Sequence, residues 1–142
     1  MNFPGSGRPA PPPDQPTAQF SAAELTYLLG ERRLGRLATS DAAGQPHVVP
    51  VGWSYDTERG SIDISGHDFA ATRKYRNAQA NPRAAFVVDD VLPPFHPRCV
   101  TIQGVAHALN AEHSGGAEAM IRITPTTIIS WGLDDSPPPR PT

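Results

Sequence analysis

Cysteine and lysine are almost missing from this chain: among 142 residues there is one cysteine, Cys99, and one lysine, Lys74, beside eleven arginines. A lone cysteine excludes an internal disulfide and cannot by itself make a thiolate metal site, so a stapled secreted framework and a zinc ribbon both fall away. Cys99 reads as a small core residue on a strand. His47, His67, His96, His107 and His113 are scattered without metal-ligand spacing, and no metal site is expected. A hydrophobic run long enough to span a bilayer is also missing, as is an apolar stretch behind basic residues of the signal-peptide kind. A soluble, cytoplasmic protein without membrane contact is the expectation. The net charge is −2 and the acids are spread along the chain, so the broad basic surface that nucleic acid requires is lacking too.

Proline, by contrast, is plentiful. Ten of the seventeen prolines fall in the first sixteen or last six residues, in stretches without apolar periodicity. Residues 1–19 and 134–142 are therefore expected to be disordered, proline-rich tails. They flank one domain over 20–133, in a chain whose length suits burial of roughly 70% of the extended surface.

"FSAAELTYLLGERR" opens that domain with a helix signature: Ser21 as N-cap, Glu24 three residues on to close a capping box, and Phe20 placed to staple on Leu25. "RLGRLATS", "PHVVPVGWSYD" and "SIDISG", separated by Gly-containing turns, read as an antiparallel meander. Pro50 cannot donate to a ladder, so its strand must be an edge there, be bulged, or face a ligand. "TRKYRNAQA" reads as a short helix stopped at Asn81-Pro82, and "AAFVVDD" as a buried strand. "RCVTIQGVAHAL" is a long strand kinked at Gly104, and "AMIRITPTTIISWGL" is a strand pair or one strand broken at Pro125. The expected fold is mainly β, a six-stranded antiparallel closed or split barrel with two or three short helices.

Most of the conspicuous charge sits in "TRKYRNAQANPR". Thr72 is placed to cap the second helix, which puts Arg73 and Lys74 in its first turn, against the positive end of the helix dipole. A phosphate would compensate, accepting backbone N–H groups, the Thr72 hydroxyl, the Arg73 fork and the Lys74 ammonium together. A solvated basic helix start with Asp68 as ion-pair partner fits the same spacing, and Asp68 could also cap a helix beginning one turn earlier.

"GQPHVVPVGW", "IDIS", "TRKYRNAQANPRAAFVVDD" and "IQGVAHAL" follow in order the pattern of the pyridoxamine 5′-phosphate oxidase-like split-barrel flavoproteins, a resemblance that runs from about residue 20 to Leu133. It implies a split-barrel homodimer with cofactor sites at the interface. Thr72, Arg73 and Lys74 match the triplet that binds cofactor phosphate, and Pro50, Val51, Gly52 and Trp53 match the strand beside the isoalloxazine ring. Ser65, His67, Gln103 and Trp131 are further cofactor-contact candidates on the same ground. For His67 the alternative is a turn residue, for Gln103 a solvent-facing side chain, and for Trp53 and Trp131 a core or interface role. Departures matter as well. Val49 stands where the oxidases carry a phosphate-binding arginine and Ser54 where they carry a substrate lysine, and the C-terminal Arg and His are missing, so vitamin B6 oxidation is not implied.

"GRLATSDAAGQPHVVPVGWSYD" and "IRITPTTIISWGL" are most similar to the branch that uses the deazaflavin coenzyme F420. The resemblance thus implies an F420-dependent oxidoreductase acting on a small organic molecule, with no catalytic acid or base demanded of the chain. FMN bound by the same triplet, giving an oxidase or reductase, is the alternative cofactor. A non-enzymatic carrier of F420, flavin or haem is the alternative function.

Overall fold

The computed structural model describes residues 16–114 and 118–133. The expected tails over 1–15 and 134–142 lie outside these residues. Residues 16–19 lie inside them, and the N–H groups of Thr17 and Ala18 both donate to the Pro125 carbonyl, at 3.0 and 3.3 Å.

Helix α1 (Ala22–Gly30) begins as its sequence predicts. Glu24 N–H donates to Ser21 Oγ at 3.1 Å, and Ser21 N–H donates to Glu24 Oε1 at 2.8 Å, which satisfies two otherwise orphaned donors. The other oxygen of this buried carboxylate accepts from Ser130 Oγ at 2.6 Å, so the cap also ties the helix to the last strand. Phe20, expected on Leu25, packs edge to face on Tyr55 with 5.6 Å between ring centroids.

The strands are β1 (Gly35–Ser40), β2 (Pro46–Val51), β3 (Ser54–Asp56), β4 (Ser61–Ser65), β5 (Arg83–Leu92), β6 (His96–Leu109) and β7 (Met120–Trp131). All pair antiparallel in one sheet of order β2-β1-β5-β6-β7-β4-β3. Seven strands replace the expected six because "PHVVPVGWSYD" is two strands divided at Gly52-Trp53. The expected meander is corrected with it: β2 pairs with β1, and β4 pairs with β3 and β7. β2 and β3 are the two opposite edges of the sheet, yet only Gly52 and Trp53, a span of at most about 11 Å, separate Val51 from Ser54. The sheet must therefore curl until its edges approach, giving a half-barrel. Pro50 accordingly lies on an edge strand, where a missing donor costs least.

The closing segment is one strand, β7, with an irregularity at Pro125. Gln103 opposes Thr127 and Gly104 opposes Pro125, which leaves Thr126 as an extra residue whose hydroxyl donates to the Gln103 carbonyl at 3.1 Å. A Cβ on Gly104 would lie 2.4 Å from the Thr124 carbonyl oxygen, so only glycine allows this close approach. The core runs across the inner face through Leu37, Phe86 and Ile102 and on through Ile62, Ile64, Ile121 and Ile123, each at most 1% exposed. Helix α2 (Arg73–Ala80), preceded by a 3-10 turn at Phe69–Ala71, packs against β1, β6 and β7 with Tyr75 and Ala78 buried. Its buried Asn77 amide donates to Thr39 Oγ1 at 3.1 Å. Cys99 is buried on β6, and burial pushes its thiol pKa up.

Candidate functional site

Thr72 caps α2 from both sides, its Oγ1 accepting from Tyr75 N–H at 3.3 Å and donating to the Phe69 carbonyl at 2.7 Å. The first turn of α2 contains no acidic residue. Among the described residues, Arg73, Lys74 and Arg76 enter no ion pair. The Lys74 ammonium lies over the Phe69 ring, 5.3 Å from its centroid, and Phe69 is in turn braced edge to face by Tyr75. Asp68 neither caps the 3-10 turn with its side chain nor meets the basic triplet. It has φ of 47° and its carboxylate faces His67 Nε2 at 3.2 Å, both side chains being exposed. The helix start is thus a cluster of positive charge without a counter-charge among the described residues, with backbone donors at its tip.

Ser65 is the exposed last residue of β4, and His67 is an exposed residue of the loop leading to the 3-10 turn. Pairing of Ser54 with Asp63 brings the start of β3, and hence the Gly52-Trp53 crossover, beside the strand that leads into the triplet. Within the crossover the four residues differ. Pro50 and Gly52 are exposed, Val51 is buried, and Trp53 is half-buried. Trp53 donates its indole N–H to the Arg33 carbonyl at 2.8 Å and stands edge to face on Phe86 at 5.8 Å.

Gln103 and Trp131 belong with Pro50 to the outer face of the sheet. The register Pro50–Arg36–Val87–Thr101–Ile129 crosses four strand pairings, and directly opposed residues share a face. Gln103 and Trp131 lie two residues from Thr101 and Ile129 and so on that same face. Val48, Ile129 and Trp131 give it exposed apolar side chains, at 66%, 52% and 36%, beside the exposed Arg36–Asp89 ion pair. A cavity of about 530 Å³ on this side is lined by Gln103, Arg83, Ala38 and Ala85 among others.

One cluster had no local signal in the sequence. Asp90 accepts from Arg98 Nε at 2.8 Å and its terminal nitrogen at 2.5 Å, from Arg33 Nε at 3.0 Å, and from the Tyr27 hydroxyl at 3.0 Å. Both guanidiniums also lie over the Tyr27 ring, at 4.2 and 4.9 Å. The Arg98 hydrogen bonds do most to bring the Asp90 carboxyl down to about 2, with Tyr27 and Arg33 helping, while burial pushes the Tyr27 phenol up. The network holds Arg33, whose carbonyl holds Trp53. Its members are up to 71 positions apart, so only the tertiary fold reveals them. Among the described residues no group of three metal-ligating side chains comes together, and no helix is long and apolar enough to cross a membrane.

The family model described as pyridoxamine 5′-phosphate oxidase matches residues 21–132. A curated protein named 5a,11a-dehydrotetracycline/5a,11a-dehydrooxytetracycline reductase, from Streptomyces rimosus subsp. rimosus, is 46% identical over 124 residues, covering 81% of this chain and 84% of its own. Among solved structures, a conserved hypothetical protein of Mycobacterium tuberculosis superposes with a TM-score of 0.63 at 22% identity, over 81% of this chain and 86% of that one. A structure titled F420 reductase superposes with a TM-score of 0.55 at 22% identity, over 73% and 94% of the respective chains. At these identities the two structures speak for the fold, a split barrel.

Proposed function

The chain belongs to the pyridoxamine 5′-phosphate oxidase family, and we propose that within it the protein is a reductase that uses coenzyme F420 to reduce a small conjugated acceptor. The observation that carries a phosphate-bearing cofactor is the α2 start: a capped helix N-terminus with Arg73, Lys74 and Arg76 around it and no acid paired to them among the described residues; the choice of F420 over FMN draws on the similarity of "GRLATSDAAGQPHVVPVGWSYD" and "IRITPTTIISWGL" to the F420-using branch. That donor set suits a phosphate. The free backbone N–H groups of the helix start supply directional hydrogen bonds, the Arg73 fork supplies two parallel ones, and Lys74 supplies a compact point charge, while the Thr72 hydroxyl joins them only by releasing the Phe69 carbonyl. The reductase assignment draws on the relative named as a dehydrotetracycline reductase.

Reduced F420, when bound, supplies a hydride. The chain's own work is to bind, orient and exclude water. Thr72, Arg73 and Lys74 would hold the phosphate, and Pro50 to Trp53 would flank the ring. Ser65 and His67 lie on the chain between these two groups. Reduction of the acceptor would balance as a hydride, two electrons and one proton, at one carbon and a solvent proton at the other. We place the working unit as a homodimer, in which the outer face carrying Val48, Ile129 and Trp131 is covered by a second copy.

Mixing the purified protein with reduced F420 and 5a,11a-dehydrotetracycline tests the reading. Multiple turnovers, followed by the return of the oxidised coenzyme's absorbance, are expected. F420 binding without turnover on this or related conjugated acceptors would instead make the protein a carrier, and turnover with reduced FMN alone would reassign the cofactor.

A further inference from the structure

Helix α1 ends at Gly30, and Glu31 leaves it in an extended conformation, φ −101° and ψ 147°. The residues that follow pass over the β2–β3 crossover, where Arg33 is fixed twice, by its side chain on Asp90 and by its carbonyl on the Trp53 indole. Its neighbours are turned the other way. Arg33 has a side chain 12% exposed, whereas Leu34 is 63% exposed and Arg32 is exposed and in no ion pair among the described residues. Leu29, on the last turn of α1, is 57% exposed. These residues enclose, with Trp53 and Tyr55, a cleft of about 410 Å³. Single exposed leucines are ordinary on a protein surface. Two of them bordering one cleft with a tryptophan in its wall, in the size range of small-molecule sites, are not.

We propose that this cleft is the acceptor pocket, and that it takes a planar conjugated molecule carrying an anionic oxygen, laid against Trp53 between Leu29 and Leu34 with the oxygen at Arg32. The apolar walls select a ring system. The charge follows from the rim, where the exposed Arg32 guanidinium enters no ion pair among the described residues, while the Glu31 carboxylate stands 3.5 Å from Arg33. The inference rests on the reductase reading, since it sets the acceptor beside the crossover assigned to the coenzyme ring. It makes Leu29, Arg32 and Leu34, which none of the cofactor-site motifs contains, the residues that determine specificity.

The test uses the full chain and two probes, 5a,11a-dehydrotetracycline as the anionic ring system and menadione as a neutral one. Affinity is read by quenching of tryptophan fluorescence without coenzyme and by KM with reduced F420, and F420 affinity is measured separately. Leu34→Asp is expected to weaken both probes about tenfold, the scale of one lost apolar contact. Arg32→Ala is expected to weaken the anionic probe alone, about fivefold, as befits an exposed charge. Both variants should keep the wild-type F420 affinity. Unchanged probe affinity in Leu34→Asp would overturn the proposal, as would an altered elution volume with unchanged affinity, which would make the leucines an interface between copies. Failure of the wild type to bind F420 would strike the reductase reading, while the quenching series would still decide the pocket.

Discussion

Lys74 is the only lysine in the chain, and its ammonium rests over an aromatic face instead of a carboxylate. A cation–π contact leaves most of the charge's hydrogen-bonding capacity unused, so an arriving phosphate displaces little. Lys74→Ala should therefore weaken F420 binding by about 1.5 to 3 kcal/mol in a fluorescence titration, the worth of one charged hydrogen bond. Lys74→Arg should recover part of it. Affinity unchanged in the alanine variant would remove the phosphate site. The capping residues Thr72, Ser21 and Glu24 were legible in the sequence because each acts within three residues of its own position. Asp68 was not: its spacing suited both an ion pair with the triplet and a side-chain cap, and a left-handed backbone at φ 47° turns it toward His67 instead.

Between elements, the join that matters most for the site is α1 to β5 and β6 through Asp90. Because Arg33 is held there, loss of the carboxylate should loosen the Trp53 anchor as well as the helix. Asp90→Asn is expected to cost about 1 to 2 kcal/mol in denaturant unfolding, since its donors stay part-buried with a weaker acceptor. The sign of the pH dependence follows from the lowered Asp90 pKa. Its folded value of about 2 lies below the ordinary 3.8, so its stabilisation is full above about pH 5 and is lost as pH falls toward 2. Unfolding curves over that window should show a steeper acid loss in the wild type than in Asp90→Asn; parallel curves would mean that the pairing contributes nothing. Sequence reading located each of these elements but not the network that joins them, because its residues come from one helix, one loop and two strands.

At the scale of the molecule, the sequence conveyed the antiparallel barrel and one strand too few. Alternation and turn residues mark where strands are, but "PHVVPVGWSYD" carries the same apolar pattern through Gly52-Trp53 that it would carry in a single strand. What divides it is closure of the sheet, a global property. The pairing register puts Pro50, Gln103 and Trp131 on one outer face, a grouping their separation in sequence hides. If that face is covered by a second copy, Ile129→Glu should shift the protein from dimer to monomer in analytical ultracentrifugation and weaken F420 binding with it. A wild-type monomer that binds F420 fully would contradict the dimer. The account rests above all on the anion cradle at α2 belonging to a deazaflavin, and one titration tests this most directly: wild-type protein against coenzyme F420 and, separately, FMN, followed by fluorescence. Saturable, micromolar binding of F420 and weaker binding of FMN are expected; no saturation with F420, or a preference for FMN, would contradict a deazaflavin cradle.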